Sequence, residues 1–376
     1  MQTEPHVAIV GGGFSGAAVA IHLLRLAPAG VRVTLLEPRE VPGAGVAYST
    51  TEPSHRINVP AARMQLAGEE EGAFDRWYRS QPAFADDPQA LLEDGAVYPQ
   101  RGQFGRYVAQ RFAEEASASG GRLTHLREQA LRFKDGEIIT DGGHRLPADL
   151  LVLAISHPPP SLPSLATPFA THPALIANPW RTGVLDAVRN QGQEIWQALS
   201  VADRQRFLRH LRSYWDVHRY RIAPQVAGIL EQRQRDGSLR VLAARLTALA
   251  DDAQKLTLTL SPRGGEAQWV SVDHFILTTG PAHGALTDSQ PLLRQLSQEG
   301  LIRADAFGLG LDVDRRSRAI GREGRAAPNL LVSGPAARAR FGELMGLPQV
   351  ADHAAAVAAE ALLALGIKQS ARCPAF

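Results

Sequence analysis

Four residues near the start of the chain, Gly11, Gly13, Gly16 and Glu37, have the types and the spacing to bind a dinucleotide. Gly11 permits a tight turn, Gly13 lets a pyrophosphate approach the backbone, and Gly16 lets a helix pack closely on a strand, with the phosphates on the helix N-terminus. Glu37 is placed to accept the ribose hydroxyls, and its carboxylate would repel a 2′-phosphate. A glycine fingerprint alone is weak evidence, so its context decides. Here His6 to Val10 reads as a buried strand, Gly11 to Gly16 as a glycine turn, Ala17 to Leu26 as the start of a helix, and Val31 to Glu37 as a second strand ending in the acid. All the required parts are in register.

The 376 residues suffice for two domains, and 44% hydrophobic with 21% charged residues is an ordinary globular composition. The formal charge is +2 and the basic side is almost all arginine, lysine occurring only at Lys134, Lys255 and Lys368. The arginines are scattered among acids, which argues against a nucleic-acid partner. A lone cysteine, Cys373, excludes a disulfide framework, a Cys-rich zinc site and a CxxC pair. No metal site is expected. Met1 to Pro5 lacks a basic leader, and no apolar run reaches the roughly 18 residues of a membrane span. We therefore expect a cytoplasmic protein with no membrane partner.

Pro42 to Tyr48 reads as a flexible loop leading through His55-Arg56-Ile57-Asn58 to Arg63-Met64, in the position where loops line the ligand crevice of an open α/β sheet. Helices are expected at 72–79 and 103–117. A β-meander then runs through Leu123 to Phe133 and Glu137 to Thr140, and returns to the parallel sheet by the strand Asp149 to Ser156. A proline-rich connector follows from His157 to Pro168. The stretch 178–234 reads as helical, with a capping box at Ser200 to Asp203 and a stripe of Phe207, Leu208, Leu211, Trp215 and His218 opposite Arg204, Arg206, Arg209, Arg212 and Arg219. A second meander at 239–249, 255–261 and 268–272 leads to an expected buried strand, His274 to Pro281. A last strand, Asn329 to Pro335, precedes a long alanine-rich helix at 348–365.

Taken together these stretches resemble the bacterial FAD/NAD(P)-binding proteins distantly related to flavin-dependent N-hydroxylating monooxygenases. The resemblance is carried by GGGFSG with Glu37, GAGVAYS from Gly43, RINVPAARM from Arg56, YPQRGQFGRYV from Tyr98, LVLAISHPPP from Leu151, FLRHLRSYWDVHRYRIAP from Phe207, LTTGP from Leu277, GLIRADAFGLGLDVD from Gly300, and the C-terminal stretch from Leu330. It implies a Rossmann-type α/β fold, doubly wound with a parallel sheet and β-meander, that binds FAD through residues 1–175 and 282–376. Residues 176–281 would form a helical and β-meander insert. It further implies that Gly11, Gly13, Phe14, Ser15, Gly16 and Glu37 hold the ADP half, that Ala130 lies by the adenine, and that Asn58, Arg63, Met64, Gly334 and Met345 lie toward the flavin.

The chain departs from the family in two places. The usual Ala-x-Gly strand end is Ala154-Ile155-Ser156. The second glycine-rich fingerprint, expected between Asn178-Pro179-Trp180 and Trp215, is missing, the only glycines after Trp180 there being Gly183 and Gly192. The insert therefore reads as a reduced remnant of a nicotinamide domain. These readings give an FAD-dependent oxidoreductase for a small metabolite, monooxygenase- or oxidase-like, with the flavin reduced by substrate or by a separate reductase. Arg56, Asn58, Tyr48 and His218 are the candidate catalytic residues, and Arg101 is a further polar contact. A flavoprotein using FAD without net redox, for isomerisation or cyclisation, and a non-enzymatic FAD- or NAD-binding protein are the alternatives.

Overall fold

The first strand, β1 (His6–Val10), is buried at every position, the pattern of a parallel strand covered on both faces. The structure, a computed structural model, describes residues 4–27, 29–66, 71–158, 188, 191–219, 222–251, 255–276, 278 and 280–369. Strand β1 pairs in parallel with β2 (Arg32–Leu36) on one side and with β7 (Leu150–Leu153) on the other. Strands β3 (Leu123–Leu126) and β12 (Ala326–Val332) extend the sheet in parallel, and β11 (Arg318–Ile320) closes it antiparallel, in the order β11-β12-β7-β1-β2-β3. This is a Rossmann-type sheet. The rise and return of the chain put helices and a small second sheet on its two faces.

One face is covered by α1 (Phe14–Leu26), α2 (Arg101–Ala118) and α8 (Gln349–Ala364), whose apolar residues share one core with Val7, Ile9, Val33 and Leu35. Alanines do much of the packing where α1 meets α8: Ala17 and Ala18 share this core with Ala351, Ala354 and Ala358. The other face is covered by the meander β4 (Ala130–Lys134), β5 (Glu137–Thr140) and β6 (Arg145–Pro147), and by α7 (Pro291–Gln298), which places Leu292, Leu293 and Leu296 in a second core. Alternate residues of β1 and β7 serve the two cores, as the period of a strand requires.

Contacts divide the chain into two units, one of residues 1–158, 192–198 and 283–376, the other of 159–191 and 199–282. The short helix α3 (Gly192–Ala198) belongs with the first: Trp196 is buried, donates its indole N–H to the carbonyl of Ala339 at 2.8 Å, and meets Phe307 edge-on. The second unit holds α4 (Val201–His210), α5 (Arg212–Arg219), α6 (Pro224–Arg235) and an antiparallel sheet of β8 (Ala244–Asp251), β9 (Leu256–Pro262) and β10 (Gln268–Val272). Ser200 caps α4 by accepting from Asp203 N at 3.1 Å.

Three expectations need correction. The span 123–133 is two strands, because Arg127 to Gln129 turn the chain out of the parallel sheet and into the meander. The stripe along 207–218 is broken at Leu211, which ends α4 and is exposed, while Arg204 on the supposed outer face is buried. The strand expected from His274 is absent among the described residues 274–276, and Ile276 is exposed. An apolar run becomes a strand only where a neighbour takes up its backbone hydrogen bonds. The Asn178-Pro179-Trp180 stretch, Leu277, Thr279 and Cys373 lie outside the described residues. Among those described, no helix is long and apolar enough to cross a membrane, and no group of His, Cys, Asp or Glu could hold a metal ion.

Candidate functional site

The cradle sits where β1 ends and α1 begins. Gly11 has φ +102°, and a Cβ there would lie 2.6 Å from the carbonyl oxygen of Ala154; a Cβ on Gly16 would lie 1.9 Å from the Gly11 oxygen. Both glycines are demanded by the protein itself. Gly13 is different: its φ is −73°, and a Cβ would meet only the Gly45 Cα, at the ordinary distance of 3.5 Å. Nothing among the described residues requires glycine at 13, whereas a pyrophosphate lying on the backbone would. The first turn of α1 has no side-chain cap and no acid, so its amides are open to an anion.

Glu37, at the end of β2, accepts from Gly12 N at 2.9 Å and Arg39 N at 3.0 Å. The carboxylate is thereby fixed beside the glycine turn, with lone pairs left for hydroxyl groups. A Cβ at Gly12 would lie 2.4 Å from the Glu37 Cβ, which explains the third glycine of the run. The residues present fit a dinucleotide with unphosphorylated ribose.

A cavity opens at the C-terminal ends of β1, β7 and β12. It is lined by Gly13, Phe14 and Ser15, by Ala44 to Tyr48, by Ala154, Ser156 and His157, and by Pro335, Met345 and Leu347. Of the residues named from sequence, it brings together Gly13, Phe14, Ser15, Tyr48 and Met345. Gly334 joins them from below: its φ is +80°, and a Cβ there would lie 2.4 Å from the Ser15 hydroxyl. Tyr48 is held by its ring, which meets Phe104 at 4.9 Å and Phe14 at 6.5 Å, while the Arg101 guanidinium lies 5.8 Å from its centroid. Burial pushes the Tyr48 phenol above its ordinary pKa, against the opposing charge of Arg101. It is a hydrogen-bond donor at neutral pH and not a base.

Other candidates lie elsewhere. Arg56 is committed to Asp87 by two bonds of 2.7 and 2.8 Å and to the Tyr98 carbonyl at 2.9 Å, with both charged side chains less than a tenth exposed. Its guanidinium works inside the loop layer. Asn58 follows Ile57, whose N–H is held by Pro99 O. Met64 is buried in the core shared with α1, and Arg63, which ends the short helix just before it, is exposed. Ala130 opens β4, buried in the core of the opposite face. His218 is on α5 in the second unit, and its side chain is outside what the structure describes.

Sequence reasoning missed the residues that pin the turn after β12. His353 on α8 accepts the Gly334 N–H at its Nδ1, 3.0 Å away, so Nε2 carries the proton and donates to the Ser317 hydroxyl at 3.0 Å. Asp305 accepts from the amides of Phe307, Leu309 and Gly310, and this loop hands Leu311 N to the Ala336 carbonyl at 2.8 Å. The FGLGLD spelling of the sequence was the available signal. Gly310 allows the approach, since a Cβ would lie 2.2 Å from the Ala336 oxygen.

Burial holds the imidazoles of His22, His157 and His353 down at about 4, helped by Arg25 at His22 and by Arg338 at His157. Each folded pKa lies below its unfolded value, so the stability is fully present above about pH 6.5 and is lost as the pH falls toward 4. Urea unfolding between pH 7 and pH 4.5 should show a loss of up to roughly 1.4 kcal/mol per pH unit for each histidine. The slope should flatten in His353→Gln, and an unchanged slope would show that this ring titrates normally.

Residues 8–158 match a family model described as FAD-NAD(P)-binding. No curated protein matches the chain. Among solved structures, the chain is similar to FAD-bound DfoA, the cadaverine monooxygenase of the desferrioxamine pathway of Erwinia amylovora, at 13% identity and a TM-score of 0.59, over 98% of this chain and 96% of that one. It is also similar to the bacillithiol disulfide reductase Bdr (YpdA) of Staphylococcus aureus, at 14% identity and a TM-score of 0.53, over 96% and 99%. The Bacillus cereus Bdr gives 16% and 0.51, over 95% and 98%. At these identities the likeness is one of fold.

Proposed function

We propose, from the premise that residues 8–158 are an FAD-binding domain, that the protein is an FAD-dependent oxidoreductase that oxidises or hydroxylates a small-molecule metabolite. The flavin would be reduced by that substrate or by a separate reductase, and not at a nicotinamide site of its own. The observation that carries the reading is the cavity at the strand ends, which begins at the phosphate cradle and continues between Tyr48 and the Met345 to Leu347 turn. Ligands of open α/β sheets bind at this edge.

Bound FAD supplies the hydride-accepting and hydride-donating chemistry. The chain supplies orientation and charge. The α1 amides would meet the pyrophosphate and Glu37 the ribose, while the Gly334 turn is held by His353 and packs against Ser15. Tyr48 offers a proton to a substrate oxygen, and His157 is neutral at pH 7 and lines the same cavity. With a single cysteine the chain has no dithiol, which disfavours disulfide reduction. The absence of a second glycine fingerprint between Trp180 and Trp215 supports reading residues 176–281 as a reduced nicotinamide domain.

The test is an absorbance spectrum of the purified protein, followed by anaerobic NADH and NADPH. Flavin bands that neither nucleotide bleaches are the expected result. Rapid bleaching would restore a built-in nicotinamide site, and a colourless protein that takes up no FAD would remove the proposal. Turnover of a metabolite with no change in the flavin spectrum would favour a non-redox role.

A further inference from the structure

We propose that a groove on the outer flank of the cradle, between residues 39–51 and the first half of α2, is a binding site for a small organic oxyanion, either a phosphate ester or a carboxylate. The groove holds about 480 Å³, within the range of small-molecule sites. Its walls carry two arginines, Arg39 and Arg106, together with hydroxyl and carboxamide groups, and no carboxylate. Both guanidinium groups are exposed, and neither has an ion-pair or hydrogen-bond partner among the described residues. Two cations on a wall without acids select an anion.

A second observation comes from Gln103. It is only 8% exposed and lines the groove, yet its carboxamide has no hydrogen-bond partner among the described residues. A carboxamide largely sequestered by the protein but lining a groove can give its hydrogen bonds to a ligand atom there. Gln103 also sits in the first turn of α2, an 18-residue helix with no side-chain cap and no acid in that turn. The amide dipoles there favour negative charge.

One wall of the groove packs tightly on the other. Gly102 and Gly105 let the 44–50 segment lie against α2, since a Cβ on either would meet the carbonyl of Thr50 at 2.6 Å or of Tyr48 at 2.3 Å. Ala44, Gly45 and Tyr48 line both this groove and the cradle cavity, so an anion bound here is one chain segment away from the cofactor site. The site nonetheless stands independently of flavin turnover.

The test is isothermal titration of the full-length, FAD-loaded protein with inorganic pyrophosphate and, separately, with succinate. One-to-one saturation by either supports the site, and the probe that saturates identifies the phosphate or the carboxylate class. Arg39→Gln, Arg106→Gln and Gln103→Leu should each weaken binding by about tenfold or more, the worth of one charge-assisted hydrogen bond. Arg145→Gln, an exposed arginine on β6, should leave it unchanged. No saturable binding of either probe would overturn the proposal. So would an equal loss in Arg145→Gln, or binding seen only in FAD-free protein, which would make the groove part of the cofactor site. Both groove arginines are exposed, so melts of their variants without ligand should match the parent.

Discussion

Alanine at Gly16 should unfold the cradle, whereas alanine at Gly13 should leave it folded but without cofactor. The Cβ added at 16 would lie 1.9 Å from the Gly11 carbonyl oxygen and 3.1 Å from its carbon. That carbonyl cannot retreat cheaply, because Gly11 N is bonded to Leu36 O and Ala154 N to Val10 O, which lock the strand ends together. Overpacking against fixed backbone falls at the upper end of the usual range, about 3 kcal/mol. The Cβ added at 13 would touch only Gly45 Cα at 3.5 Å. Its effect therefore falls on the ligand, and FAD affinity should drop by more than about tenfold. Urea unfolding and the flavin-to-protein absorbance ratio separate the two outcomes. Full flavin retention in Gly13→Ala would mean that the pyrophosphate lies elsewhere.

The second large effect concerns Asp87. Its carboxylate faces Arg56 through two short bonds in a layer where both side chains are less than a tenth exposed, and the Tyr78 hydroxyl points at the same oxygen from 3.4 Å. Removing one partner of a buried pair strands the other charge, at a cost of about 3–5 kcal/mol. Asp87→Ala should therefore lower the urea midpoint more than any surface change. Replacing both residues, as Arg56→Met with Asp87→Leu, should cost less than the single change, because no charge is left uncompensated. If Asp87→Ala unfolds like the parent, Arg56 has another anchor and becomes available again as a substrate contact.

That pair also shows what the sequence could not disclose. The dinucleotide cradle was legible because all its parts lie within the first 37 residues and each has a local reason: turn, close packing, helix terminus, strand-end acid. Arg56 stood in a loop of the right position and so looked like a site residue, while its partner lay 31 positions away with nothing local to announce it. Met64 was placed toward the flavin by likeness and is part of the core. His353 was hidden by its surroundings, one of a few polar residues in an alanine-rich helix, and only the three-dimensional approach of Gly334 and Ser317 gives it a task. The strand expected from His274 had the right composition but lacked a neighbour, and periodicity cannot supply one.

The packing of α1 against α8 has a consequence during synthesis. Helix α1 leaves the ribosome long before α8, the helix that covers its alanine-rich face. Domains fold as units from the N-terminal end, and apolar surface exposed while waiting is what holdase chaperones recognise. Each nascent chain thus carries an uncovered helix face until α8 emerges. Its yield in a cell will respond to chaperone supply and elongation rate well before the stability of the finished protein becomes limiting.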